Sequence, residues 1–315
     1  MTQASSSKAN LSHEERTATE PRASDLHPVI LKEITKVNER IQTYRFVTKN
    51  KKGIKFLAGQ WLDVYVPGIE KAGGFTITSA PQHAVNYIGE THETYLELAI
   101  QKSPDNPPAA WLWQPPERII GTEIYVRVGG SFVWPPNNLR LDSIDHVVLI
   151  AGGVGINPLI AILSHLRQHG NPPSEVSLFY STKLPSADPE SSEVLFLPRI
   201  LDAYETSAST EAEGLKGQLE LFFTGSWENA PVSPNNGLLR SLQSRDKAKY
   251  KRAIIEAQIG RIDEAALKRA LGDHHQRQSS VFYVCGPPEM TDSIVEYLGK
   301  QDNVSPDRVL CEKWW

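Results

Sequence analysis

The sequence predicts a β + α/β chain: an N-terminal antiparallel β-barrel followed by an open parallel sheet with helices packed on it. Three observations carry this. The chain has 315 residues, more than one hydrophobic core organises, and its 40% hydrophobic composition is enough for two. Residues 28–141 contain short stretches of period-two alternation cut by Gly and Pro. After Leu141, buried apolar runs alternate with helical ones.

The first 27 residues are polar, rich in Ser and Thr, and read as a disordered tail. A mitochondrial transit peptide is Arg-rich and acid-poor. Here one Lys precedes His13, and Glu14, Glu15 and Glu20 follow, so the targeting signal is weak. The barrel domain spans 28–141. "FLAGQWLDVYVP" (56–67), "YLELAIQK" (95–102) and "GTEIYVRVGG" (121–130) are its strands, with Leu96, Leu98 and Ile100 on one face, as are Ile124, Val126 and Val128. The α/β domain spans 142–315. "HVVLIAG", "EVSLFYST", "QLELFFTG" and "VFYVCG" read as strands and "PLIAILSHLRQ" as a helix closed by Gly170. Residues 184–218 form a Ser- and Glu-rich insertion with one helix around "LFLPRILDAY".

Composition narrows the function classes. A net charge of −4, a pI near 6.2 and the lack of a long basic run argue against nucleic acid and anionic membranes as partners. No apolar stretch reaches the roughly 20 residues that cross a bilayer. Two cysteines, Cys285 and Cys311, exclude a disulfide scaffold and any centre built on four thiolates, and fit an intracellular compartment.

Two turns carry candidate chemistry. "LIAGGVGINPLIAIL" puts Gly152, Gly153 and Gly155 after a strand and Pro158 at the first helical position, where its missing N–H costs nothing. Glycines let the backbone turn and approach a phosphate, and the helix dipole favours an anion, so the turn suits a dinucleotide pyrophosphate. Pro stands where the GxGxxG fingerprint has its last Gly, and the turn read alone is equally a ligand-free strand-to-helix connection. In "VFYVCGPPEMTDSIVEYL" (281–298) a buried strand ends in Cys285 and turns through Gly286, Pro287 and Pro288 into a helix with Glu289 at its start. Both turns fall at the carboxyl ends of strands, where open α/β sheets bind ligands.

"GGVGINP", "CGPPEM", "GRIDEAAL" (260–267), "AGQWLDV", "GGFTITSAP" and "GTEIYVRVGGSF" together resemble, in order, the motifs of the ferredoxin–NADP reductase superfamily over about residues 28–315. Within it, "GGFTITSAP", "VRVGGSF", "AGGVGINPL" and the terminal "CEKWW" are most similar to the oxidoreductase NAD-binding domain-containing protein 1 group. The resemblance implies a flavin-binding barrel, a nucleotide-binding α/β domain, and hydride transfer between nicotinamide C4 and flavin N5. Phe75 would pack on the isoalloxazine, Thr76 would hydrogen-bond near N5, and Thr78 and Ser79 would be the later hydroxyls of the loop. Gly152, Gly153, Val154, Gly155, Ile156, Asn157 and Pro158 would form the pyrophosphate loop. Ser181 and Lys183 would stand near the adenosine ribose. Cys285, with Gly286 and Pro287, would sit beside the nicotinamide, Glu312 would match the family's acidic residue there, and Trp315 would lie over the flavin. Taken singly, Phe75 reads better as barrel core and Cys285 as an inert buried thiol; their joint placement favours the cofactor roles.

The sequence departs from the family pattern in this loop: Gly73 stands where an arginine holds the flavin phosphate, and Phe75 replaces the commoner Tyr. The start of "NPPAAWLW" (106–113), with Pro108 and Ala109, is the expected substitute anion site. The cofactors expected are FAD, ahead of FMN, and NAD(H) ahead of NADP(H). The function expected is a flavin-dependent NAD(P)H oxidoreductase that passes electrons to a separate acceptor. The alternative is a non-catalytic NAD(P)H-binding module that has lost tight flavin binding. No resident metal is expected, and the resemblance points to mitochondria.

Overall fold

The computed structural model describes residues 12–50, 52–86, 93–168, 172–206, 213–227 and 230–313. The chain forms two compact units, one reaching Pro135 and the other running from Pro136 to Lys313.

The first unit is built on six antiparallel strands: β1 (His27–Asn38), β2 (Ile41–Thr48), β3 (Trp61–Tyr65), β4 (Gly73–Thr76), β5 (Tyr95–Gln101) and β6 (Glu123–Gly129). Their order is β4-β3-β6-β1-β2-β5. Past β4 the chain bends onto β5, where Ile77 bridges Leu98 and the Thr78 N–H donates to the Glu97 carbonyl at 2.8 Å, so the two edges of the sheet meet as a barrel. Alternation sets the core. Leu62 and Val64 of β3, Leu96, Leu98 and Ile100 of β5, and Ile124, Val126 and Val128 of β6 all point inward and are buried. The opposite face of β3 carries Trp61 and Asp63, also buried. Gly129 and Gly130 make room for the Trp61 indole: a Cβ at either position would lie 2.4 Å and 2.6 Å from its ring.

That second face is covered by the chain before β1, and here the expected tail is corrected for the residues from Ser12 onward. Ser12 caps a one-turn helix, α1 (His13–Arg16), through a reciprocal capping box with Glu15. His13 is buried and meets Trp61 edge-on with ring centroids 4.6 Å apart, while the Arg22 guanidinium lies 4.9 Å from the indole centroid. Backbone bonds from Ala23 to Val128 (2.8 Å) and from Gly130 to Pro21 (2.9 Å) fasten the segment to β6. The polar composition hid this because the segment is held by an indole and a buried charge cluster, with few apolar side chains of its own.

In the second unit, six parallel strands run in the order β12-β9-β8-β7-β13-β14: β7 (His146–Gly152), β8 (Glu175–Lys183), β9 (Gly217–Thr224), β12 (Ala253–Ile259), β13 (Ser280–Cys285) and β14 (Val309–Glu312). A small hairpin, β10 (Ser226–Trp227) and β11 (Ala230–Pro231), follows β9. Every residue of β7 and β13 is buried, as central strands covered on both faces require. The principal helices are α4 (Ile156–Gln168), α5 (Leu197–Tyr204), α6 (Gly237–Gln243), α7 (Glu264–Leu271), α8 (His274–Ser279) and α9 (Pro288–Gly299); α2 (Pro107–Leu112) and α3 (Pro116–Ile119) lie between β5 and β6 of the barrel. The helix expected around residue 200 is α5. Gly170, expected to close α4, lies outside the described residues. Inside the sheet Glu220 is fully buried, and Arg269 of α7 donates to both of its oxygens, at 2.6 Å and 2.7 Å. A bidentate guanidinium is what makes a carboxylate tolerable there.

Candidate functional site

The parallel sheet reverses its strand order between β7 and β13: the chain builds outward through β8, β9 and β12, then returns to add β13 and β14 on the other side. At this switch point the ends of β7 and β13 press together backbone to backbone. A Cβ on Gly155 would lie 2.3 Å from the Cys285 carbonyl oxygen, and one on Gly286 would lie 3.1 Å from the Gly152 Cα. A Cβ on Gly152 would meet Met290 Sδ at 2.5 Å and Pro287 Cδ at 2.7 Å. Gly153 differs. Its φ of +54° calls for glycine, and nothing lies within 4 Å of its Cβ position, so its backbone faces open space.

That space is a cleft of about 730 Å³ at the carboxyl ends of β7, β8 and β9. Gly152 and Gly153 form one side, Ser181, Thr182 and Lys183 another, and Arg261 and Ile262 a third. Pro287, Met290 and Tyr297 close it with apolar surface. Its charged lining is mixed, Lys183 and Arg261 against Asp263, Glu264 and Glu289. The Asp263 carboxylate also caps α7 by accepting the Ala266 N–H at 2.8 Å. Thr224, Arg261, Met290 and Tyr297 were not among the residues expected in the site. Arg261 was legible in "GRIDEAAL", which marks a strand end turning into a capped helix; Tyr297, on the third turn of α9, had no local signal.

The other expected residues of this unit divide into two groups. Cys285 is fully buried, and parallel register sets it between Ala151 of β7 and Glu312 of β14, so Cys285 and Glu312 come together at the sheet's carboxyl edge. Ile156, Asn157 and Pro158 are buried at the start of α4, whereas Val154 is exposed. The helix begins at Ile156, after a short 3-10 turn over Gly153–Gly155, so Pro158 is its third residue and not its first. Trp315 lies outside the described residues.

In the barrel unit, register pairs Gly73 with Val64 and Phe75 with Leu62 on one face of β4, and Gly74 with Asp63 and Thr76 with Trp61 on the other. Phe75 and Thr76 therefore point to opposite faces. Thr78 Oγ1 donates to the Glu97 carboxylate at 2.7 Å, and Ser79 Oγ accepts the Glu97 N–H at 3.1 Å, so both hydroxyls fasten the loop to β5. Each glycine of the pair excludes a side chain for its own reason. A Cβ on Gly73 would lie 2.5 Å from the Phe75 ring and 2.6 Å from Pro108 Cβ; one on Gly74 would lie 2.1 Å from the His13 imidazole.

The anion site expected at the start of α2 is corrected. Pro107 and Pro108 have no N–H, the Ala109 N–H is taken by the Asn106 side chain at 3.2 Å, and the Asn106 N–H by the Ser103 carbonyl at 3.2 Å. The helix start is closed by its own cap. Phe75 is half-buried and packs against the barrel core, and neither a side chain at 73 nor the start of α2 offers a phosphate anchor.

Beneath Gly74 lies a charge cluster. Asp63, fully buried, is met by His13 Nε2 at 3.1 Å, Arg22 Nε at 3.0 Å and Arg127 Nη2 at 2.7 Å. Burial alone would raise its pKa; hydrogen bonds from His13, Arg127 and Arg22 overcome that and hold the carboxyl below its ordinary value.

No model of a known protein family matches the chain. It is 32% identical to the oxidoreductase NAD-binding domain-containing protein 1 of Xenopus tropicalis, over 98% of this chain and 86% of that protein. The Homo sapiens protein of the same name is 31% identical over the same shares. More distantly, the reductase component of propane 2-monooxygenase from Rhodococcus jostii is 22% identical over 89% of this chain and 61% of its own. Among solved structures, the Amycolatopsis cytochrome P450 reductase GcoB matches with a TM-score of 0.60 at 18% identity, covering 94% of this chain and 71% of that one. A ferredoxin NADP+ reductase from Neisseria gonorrhoeae, solved with bound FAD and NADP, matches with a TM-score of 0.57 at 16% identity, covering 93% and 100%. These structures establish a ferredoxin reductase-like fold. With relatives above 30% identity across nearly its whole length, the chain belongs to the oxidoreductase NAD-binding domain-containing protein 1 family.

Proposed function

We propose that this chain is an NAD(P)H-dependent flavin oxidoreductase. The observation that carries the reading is the cleft at the switch point of the parallel sheet, where Gly153 offers open backbone next to the 13-residue helix α4. A pyrophosphate in that position meets the positive end of the helix dipole. Ser181 and Lys183 then stand at the adenosine ribose, and Cys285 and Glu312, paired at the strand ends, at the nicotinamide. Cys285 serves there by shape, since it is buried and needs no thiolate chemistry. Lys183 and Arg261 are outnumbered by the three carboxylates of the cleft, which favours NAD(H) over a dinucleotide with an added 2′-phosphate.

A flavin bound at the barrel loop, with its ring against Phe75, would supply the acceptor for the hydride of nicotinamide C4; Thr76, expected near N5, is buried on the opposite face of β4 beside Trp61. FAD is the flavin named for three of the solved neighbours. The protein's share of the chemistry is orientation and exclusion of water. Electrons then pass to a separate acceptor. A mitochondrial location is the expectation from the family, and cell fractionation tests it.

The deciding experiment mixes purified protein with excess flavin under anaerobic conditions and adds NADH, then NADPH. Catalytic loss of the flavin's visible absorbance, faster with NADH, is expected. A second reading, an NAD(P)H-binding module without redox turnover, is favoured by the closed phosphate side of the barrel loop. Saturable NADH binding with no bleaching of any flavin would establish it and end the first.

A further inference from the structure

This inference rests on the flavin reading just given. We propose that the barrel site recognises the ring of a flavin and makes no use of its phosphate, so that riboflavin, FMN and FAD bind with nearly equal affinity and the flavin exchanges freely with solution.

Three features of one small surface support this. Gly73 carries no donor, and the space a side chain there would enter is filled by the Phe75 ring and Pro108. The N-terminus of α2, which abuts the same glycine through Pro108, has spent or lost its N–H groups: two prolines carry none, and Asn106 caps Ala109. Lys71, two residues before Gly73, is exposed and pairs with Glu15 of α1 at 3.8 Å. Among the described residues, Gly73 and the start of α2 offer a phosphate neither a cation nor an open backbone amide, and a surface lysine already paired offers little. Phe75 is only partly buried: its ring packs in part on the barrel core, and the part left exposed is what a flavin ring would meet. The loop behind it is held rigid by the Thr78 and Ser79 bonds to Glu97, so recognition of a flat ring is preorganised even without a phosphate clamp.

The test measures Kd for riboflavin, FMN and FAD with the full chain by equilibrium dialysis, at low and at high salt. The three values are expected to agree within about threefold and to keep their ratio as salt rises, because a neutral ring contact is not screened. A charge-assisted phosphate contact would instead separate FMN and FAD from riboflavin by about 10- to 100-fold, with the gap closing in salt. That result, or a preference for FAD that is insensitive to salt, overturns the inference and leaves the flavin reading standing. Failure of all three to bind removes the flavin reading and the inference together. Gly73→Arg supplies an independent arm. Because its Cβ would collide with Phe75 and Pro108, it is expected to give no gain for FMN or FAD over riboflavin; a tenfold gain would mean that the site still keeps room for a phosphate clamp.

Discussion

The glycine at 155 makes the sharpest prediction about the nucleotide site. In Gly155→Ala the new Cβ would lie 2.3 Å from the Cys285 carbonyl oxygen, 2.5 Å from its carbon and 2.7 Å from the Gly286 Cα. All three are backbone atoms of a turn flanked by a fully buried strand, so none can swing aside. Non-bonded contacts prefer roughly 3.5 Å, so the two loops must part by about 1.2 Å. Overpacking of this kind costs about 1–3 kcal/mol. For a unit of this size that is a fall in Tm of roughly 2–12 °C, at about 2–4 °C per kcal/mol. NADH affinity should fall at least about tenfold, since the loop that faces the cleft moves with Gly155. Gly153→Ala is the control for stability alone, because its Cβ would enter the cleft itself. Its Cβ meets no protein atom, so only the left-handed φ of +54° is strained, at about 1 kcal/mol. Differential scanning calorimetry of both variants and NADH titration of Gly155→Ala check this. If Gly155→Ala melts with the native chain and binds NADH normally, the backbone-to-backbone account of the switch point is wrong.

Asp63→Asn keeps the shape of the buried side chain while stranding Arg22 and Arg127, and should destabilise the barrel by about 3 kcal/mol in urea denaturation, the low end for a broken buried pair because both guanidiniums reach solvent. Since the folded-state pKa of Asp63 is lowered, its contribution is complete above the unfolded carboxylate value and is lost as pH falls through the folded one; the variant should lack that part of the native acid dependence, and an unchanged acid profile would sink the assignment. His146 joins β7 to its neighbours, with Nε2 2.9 Å from Ser177 Oγ and Nδ1 3.3 Å from Ser280 Oγ, and burial lowers its pKa despite the opposing effect of Glu175. The unfolded chain then takes up the proton first, so stability is full above about pH 6.5 and declines as pH falls toward the lowered value; a His146→Gln variant should show a flatter stability profile there, and one as steep as native would assign the slope to other groups.

Much of the second unit was legible because its central strands are buried on both faces and read as unbroken apolar runs: "HVVLIAG" is β7 residue for residue. The edges were not. β12, "AIIEAQI", is an edge strand with Ile254 and Ile259 exposed, and β14 has only four residues, too few for a period to register. In the barrel, alternation found β3, β5 and β6, but not what covers the outer face of β3. Asp63 read as one polar residue in an alternating strand; its three partners, His13, Arg22 and Arg127, come from α1, from the segment before β1 and from β6, and no local pattern joins them. The candidate site divides in the same way. Turn glycines are visible in a sequence because glycine is rare in strands, but their reasons are tertiary. Gly153 needs its φ, Gly155 needs the absence of a Cβ, and Gly74 needs a histidine from the N-terminal segment to be where it is.

The Gly-Gly-Phe loop shows why a missing arginine is more than one missing residue. Were Gly73 a simple loss, the space the arginine left would remain open and the helix start beside it would still offer its amides. Neither holds: Phe75 and Pro108 close the first, and Asn106 with two prolines closes the second. On the other face of the same strand, Gly74 admits His13, and His13 brings with it α1, Arg22 and the charges that neutralise Asp63. The two adjacent glycines thus serve opposite faces of β4, one freeing the surface of a phosphate anchor, the other seating the N-terminal segment. Reverting either alone meets a steric conflict with a partner that depends on the glycine, so the pair behaves as one rebuilt surface.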